Sequence, residues 1–157
     1  MKNLRTLALC VSLSLITLCG SAQNGDIPIN EPDLNKPELF KTLPASIPVS
    51  KDQLVSLLDY QVGSPVSLNL SAASAFRFEG NVIASVSKYE NSIQSVIVRS
   101  TNYPGARLTL SRITDDKGNI TYTGRILSRE HGDLYELKNT DNQFVLVKRK
   151  YNSLLNE

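Results

Sequence analysis

The densest run of residues able to do acid–base chemistry is Arg129-Glu130-His131-Gly132-Asp133, with Glu136 just beyond it. His131 is the only histidine of the chain, and an imidazole beside carboxylates has the composition of a general base with its orienting acid. The same string also suits a charged hairpin tip in water, the commoner use of such residues. Metal chemistry has less to work with. A catalytic zinc site draws on several His or Cys ligands, and beyond the first 22 residues only His131 is of either kind. Calcium takes six or more oxygens. Asp115-Asp116-Lys117-Gly118-Asn119 has a few of them but sets a lysine in the middle and lacks a later bidentate glutamate, so turn chemistry accounts for it.

Nucleophilic catalysis fares no better. A serine would need His131 as its base, and no G-x-S-x-G elbow is present. There is neither a phosphate-cradling glycine loop nor a dinucleotide fingerprint, so no cofactor is expected. Enzyme is the weakest functional class for this sequence.

Arginine placement carries a clearer signal. Arg77, Arg99, Arg107, Arg112, Arg125 and Arg129 fall in or beside alternating stretches, and Lys148-Arg149-Lys150 ends the last of them. Guanidinium groups sharing one face hold carboxylates, phosphates or anionic sugars bidentately. Arg107 and Arg125 are the first candidates for a ligand face, followed by Arg99 and Tyr122. The plain alternative is a solvated sheet face whose charges discourage edge pairing. Tyr89, Tyr103, Tyr122, Tyr135 and Phe144 beside these arginines also have the composition of a nucleic-acid surface. Export and a neutral charge balance argue against that and favour a protein or glycan partner.

These side chains must be positioned by the stretch from Phe76 to Lys150, where apolar and polar residues alternate in successive runs separated by turn signals. Strands are expected over 76–87, 93–100, around Leu108 to Ile113, over 120–127, 134–138 and 144–148, with a first short strand at 66–70. Tyr103-Pro104-Gly105 suits a type II turn, and Gly118 can close a hairpin. Gly80 suggests a bulge in the longest strand. Ser50 with Gln53 makes a capping box ahead of Leu54, Leu57 and Leu58, which predicts a short helix over 51–60. Tyr151, Leu154 and Leu155 fit one C-terminal helical turn. The expectation is a mainly β protein: an antiparallel meander of about seven strands forming a small barrel or sandwich, with a short helix at either end.

Residues 1–22 read as a secretory signal peptide: Lys2 and Arg5, an apolar run from Leu7 to Leu18, then Gly20, Ser21 and Ala22. A retained anchor or a lipid on Cys19 is the less favoured reading, since Leu18 is a poor residue before a lipidated cysteine. Cleavage after Ala22 removes Cys10 and Cys19, both cysteines of the chain, leaving a secreted or periplasmic protein without disulfides. Of 17 basic and 15 acidic residues, loss of Lys2 and Arg5 leaves 15 of each. Such a balance exerts no long-range pull on nucleic acid or anionic membrane. Residues 23–49 hold five of the seven prolines and read as a linker or extended arm. Leu34, Leu39, Phe40 and Leu43 suggest that the arm packs on a β-domain spanning 50–157.

The sequence therefore points to an exported, non-catalytic binding module for an envelope or extracellular protein or an anionic surface polymer. Its rivals are a carrier with an apolar barrel cavity and, by analogy of parts only, a propeptide-like inhibitor or chaperone of an exported protease.

Overall fold

A computed structural model describes residues 35–69, 76–140 and 143–151, all within one compact unit from Asp33 to Glu157. The proposed signal segment, Cys10, Cys19, Leu34, Leu154 and Leu155 lie outside the described residues. Among those described, no helix is long and apolar enough to cross a membrane.

Eight antiparallel strands form one curled, half-barrel sheet. In chain order they are β1 (Ser46–Val49), β2 (Pro65–Asn69), β3 (Arg77–Lys88), β4 (Ile93–Ser100), β5 (Arg107–Thr114), β6 (Ile120–Leu127), β7 (Asp133–Thr140) and β8 (Gln143–Lys150). The helix α1, Lys51–Leu58, lies between β1 and β2 in sequence. Strands β2 to β8 are laid side by side in chain order, a plain meander, and β1 closes the row by pairing with β8. The count is one more than the seven expected. The extra strand, β1, is built from Ser46-Ile47-Pro48-Val49, inside the proline-rich segment. An outermost strand tolerates proline because one side of its backbone has no partner to serve. Of the expected C-terminal helical turn, only Tyr151 is described.

Period-two patterning sorts the side chains. Val82, Val96, Val98, Leu108, Leu110, Ile126, Tyr135, Leu137 and Leu146 are buried on the inner face of the curl, in one core cluster with the three leucines of α1. The helix begins where its capping box is satisfied in both directions: Ser50 Oγ accepts from Gln53 N at 3.2 Å, and Gln53 Oε1 accepts from Ser50 N at 3.1 Å. Eight residues are too few for a helix to persist alone in water. Burial of Leu54, Leu57 and Leu58 supplies the remainder. Together α1 and the sheet leave a void of about 20 Å³ lined by Leu54, Leu57, Leu110, Gly124 and Leu137, the space of a single water.

Turn chemistry follows the residues. Gly105 takes φ +70° in the Tyr103-Pro104-Gly105 turn, which Ala106 N closes on Tyr103 O at 3.1 Å. Gly80 is not the site of the bulge. The register slips between Val82 and Ala84 instead. Gly80 is needed for close approach, because a Cβ there would stand 2.2 Å from the Arg99 carbonyl oxygen.

The arm before β1 is bound to the end of the sheet by polar groups that face inward. Asp133, 2% exposed, accepts from Leu39 N at 2.6 Å and Phe40 N at 2.8 Å. Tyr135 donates to Pro44 O at 2.5 Å, and Lys148 Nζ donates to the carbonyls of Phe40 and Leu43 at 2.6 and 2.5 Å. Phe40 enters an aromatic group with Tyr103 and Tyr135, at centroid distances of 5.4 and 5.1 Å, and is fully buried. Leu39 and Leu43 pack against the same core.

Candidate anion-binding face

The alternation that fills the inner face decides what stands on the outer one. Cross-strand register aligns Arg99 of β4 with Arg107 of β5, and Arg107 in turn with Leu127, Leu134 and Arg149. The neighbouring row runs Ile97, Thr109, Arg125, Glu136 and Val147. Three of the four residues expected to bind a ligand, Arg99, Arg107 and Arg125, thus stand on the same outer face of the sheet. Tyr122 does not. It belongs to the opposite parity of β6 from Arg125, is only 8% exposed, and packs edge-on against Phe144 at 5.4 Å. The spacing that turns Arg125 outward turns Tyr122 into the core.

Glu136 is the single carboxylate in the middle of this surface, and its side chain is 13% exposed. Lys138 Nζ lies 3.0 Å from it, Arg125 3.6 Å and Arg149 3.8 Å. One carboxylate cannot neutralise three cations, so this cluster keeps an excess of positive charge. Arg99 and Arg107 stand directly opposite each other, are exposed, and have no ion pair among the described residues. Like charges facing across two strands destabilise a sheet, so the pair is a standing cost that an incoming anion would relieve.

Between the two arginine groups the surface is paved with hydroxyls. A shallow groove is lined by Thr109, Ser111, Thr123, Arg125, Glu136 and Lys138. A second, lined by Arg107, Thr109, Leu127, Ser128, Arg129 and Glu130, adjoins it through Thr109 and Leu127. Short Ser and Thr side chains keep the floor low, and guanidinium groups rise at its margins. Ser95 and Ser111 hydroxyls bond across β4 and β5 at 2.7 Å, fixing part of that floor.

The acid–base string is dispersed by the fold. His131 Nδ1 bonds to Ser128 Oγ at 2.9 Å, within a turn where Glu130 N also donates to that hydroxyl at 3.3 Å. Asp133 points the other way, into the arm, and Glu136 belongs to the outer cluster. No carboxylate is therefore aligned on the imidazole. At the β5–β6 hairpin the Asp115 carboxyl accepts from Lys117 N, Asn119 N and Asn119 Nδ2 at 2.8–2.9 Å. The bonds from Asn119 hold its pKa below the ordinary carboxylate value. The loop is folded on its own oxygens, and among the described residues no three His, Cys, Asp or Glu gather as a metal site.

Sequence reasoning named Arg149 only within the run Lys148-Arg149-Lys150 and Glu136 only beside the acid–base string, and it did not name Lys138. The signal was available: both Glu136 and Lys138 alternate with buried Tyr135 and Leu137, and Arg149 sits between inward Lys148 and the strand end.

No protein-family model, curated protein or solved structure matches this chain.

Proposed function

We propose that the protein is an exported, non-catalytic binding module whose outer sheet face takes an anionic partner, either a surface polymer or an acidic segment of an envelope or extracellular protein. The observation that carries this reading is Arg99 aligned opposite Arg107, neither held in an ion pair among the described residues, on the same face as Arg125, Lys138 and Arg149. Guanidinium groups bind carboxylate, sulfate or phosphate through paired, charge-assisted hydrogen bonds. Ser and Thr hydroxyls between them suit the hydroxyl-rich backbone of a polymer. Loss of the first 22 residues as a signal, with an even charge balance thereafter, supports local recognition over long-range electrostatic capture.

The carrier reading has less support, because α1 and the arm occupy the inner face and the void beneath the helix is about 20 Å³, against several hundred for a small-molecule site. Two polyanions, polyglutamate and a polyuronate, serve as test ligands, measured by biolayer interferometry against wild type and the Arg99→Ala/Arg107→Ala pair. Loss of two screened guanidinium contacts should weaken binding roughly tenfold at low salt. Equal affinity of both proteins for both polymers would refute the proposed face.

A further inference from the structure

A different surface carries a second inference, independent of the ligand reading. The sheet has three stretches of open edge. β1 is four residues long with Pro48 inside it, and β2 is five residues long and starts at Pro65. Proline, and strands this short, are the usual means of blunting an edge against further pairing. The third stretch has no proline. β3 runs to Lys88, but its partner β2 covers only Arg77 to Asn81, so the half from Ala84 to Lys88 pairs with β4 on one side and with none of the described residues on the other.

The backbone of Val82 is directed away from β4, toward the β2 side: its carbonyl accepts from Gly63 N at 2.8 Å and its N–H donates to Ser64 O at 3.0 Å. The one-residue bulge between Val82 and Ala84 then shifts the alternation, so that Ala84, Val86 and Lys88 serve β4. Ser85 and Ser87 are left with N–H and C=O directed to the open side. The overhang ends in a tight turn. Tyr89, Glu90 and Asn91 all have positive φ, and Ser92 N and Oγ both bond to Tyr89 O, at 2.9 and 2.6 Å. Three successive left-handed residues other than glycine are strained backbone. Val86 is 45% exposed on the outer face, and Tyr89 is 75% exposed at the tip.

We propose that this edge pairs with the same edge of a second copy of the chain, joining two eight-stranded sheets across a two-fold axis at Val86. Parity and chemistry select the second copy and its register. Centring the axis on Val86 sets Ser85 opposite Ser87 of the partner subunit, so that both outward residues exchange N–H and C=O with outward residues. Ala84 then meets the partner's Lys88, and Val86 meets the partner's Val86. The edge is self-complementary: its only charge, Lys88, faces a methyl group and not another lysine. Val86 falls at a non-hydrogen-bonded pair, where side chains approach most closely.

The test uses protein purified after export, with the full sequence downstream of the cleavage point, in sedimentation equilibrium over a concentration series. Weight-average mass should climb from one chain toward two. Ser85→Pro removes an outward donor without touching the β4 ladder, and should hold the mass at one chain while leaving the far-ultraviolet dichroism unchanged. Val86→Lys, a solvent-compatible change at an exposed site, should do the same by opposing two lysines, with salt restoring the dimer. Val86→Cys tests the register: Cα atoms about 4.5 Å apart fall within the ~4.4–6.8 Å span of a disulfide, so mild oxidation should link two chains. Ser85→Cys, two positions out of register with itself, should not. One-chain mass at every concentration with no Val86→Cys cross-link would overturn the proposal, as would equal cross-linking by both cysteine variants.

Discussion

Replacing Arg107 by threonine should make the unliganded protein more stable while making it a poorer binder. Arg107 and Arg99 are a directly opposed cross-strand pair, and neither forms an ion pair among the described residues. A facing like-charge pair costs a few tenths of a kcal/mol up to about 1 kcal/mol, and threonine is well suited to an exposed strand position. Both side chains are exposed and can splay apart, so the lower half of that range applies, about 0.3–0.5 kcal/mol. For a domain of this size that is a rise in Tm of roughly 1–2 °C. The charge origin gives a second readout. In 1 M salt the screening length falls to about 3 Å, so the difference between wild type and Arg107→Thr should shrink toward the small contribution of strand propensity. Arg99→Thr should behave alike, and the double variant should gain less than the two singles together, because the repulsion can be removed only once. Differential scanning fluorimetry at low and high salt, beside the polyanion binding series, measures all of this. A fall in Tm for both single variants, or a gain indifferent to salt, would refute the claim that the pair is held against its own repulsion.

Other consequences concern the arm and the turns. Asp133→Ala should destabilise the protein by about 3 kcal/mol in urea titration, since two backbone N–H groups, of Leu39 and Phe40, lose a charged acceptor in a buried place. Asp133→Asn, which keeps an acceptor, should recover part of it. Burial, with the Asp133 carboxylate nearby, pushes the Tyr135 phenol from 10.0 up to about 12. The folded state therefore holds this proton more tightly than the unfolded one. Its contribution is complete below pH 10 and lost as pH rises through 12, an amount of roughly 2–3 kcal/mol. Tyr135→Phe should flatten that part of the pH–stability curve relative to wild type, and cost about 1 kcal/mol at neutral pH through the lost bond to Pro44 O. Gly105→Ala should cost at least 1 kcal/mol, seen as a lower Tm, because residue 105 sits at φ +70° and the added carbon would lie 2.9 Å from Ser128 Oγ.

The meander was legible because its strands alternate cleanly and its turns use residues with one dominant conformation, as at Pro104-Gly105 and Gly118. The helix was legible from Ser50 and Gln53, whose capping box forms as written. What the sequence concealed depends on long-range partners. Ser46-Ile47-Pro48-Val49 has no strand signal of its own and becomes β1 only because β8 offers an edge, with Ile47 and Val49 finding places in the core. Asp133 read as a companion to His131 because they are two residues apart. Alternation sends it inward, to backbone groups more than ninety positions away in the chain. Tyr122 illustrates the same limit from the other side. Its period-two parity placed it opposite Arg125, yet residue type alone suggested a ligand, and burial against Phe144 follows the parity. For an alternating strand, parity is the stronger guide.

The division of labour between the two faces has a physical reason. A single sheet cannot bury both sides with 120 or so residues unless a second layer covers one of them. Here the covering layer is a short helix and a strap of proline-rich chain, held by Asp133, Tyr135 and Lys148. Prolines suit that strap, since an extended segment with few donors can be satisfied by a handful of side chains. With the inner face sealed by so little material, the outer face buries Leu134 but leaves Arg99 and Arg107 exposed. It can then carry arginines whose arrangement works against stability, a pattern expected where a surface serves binding at some cost to the fold.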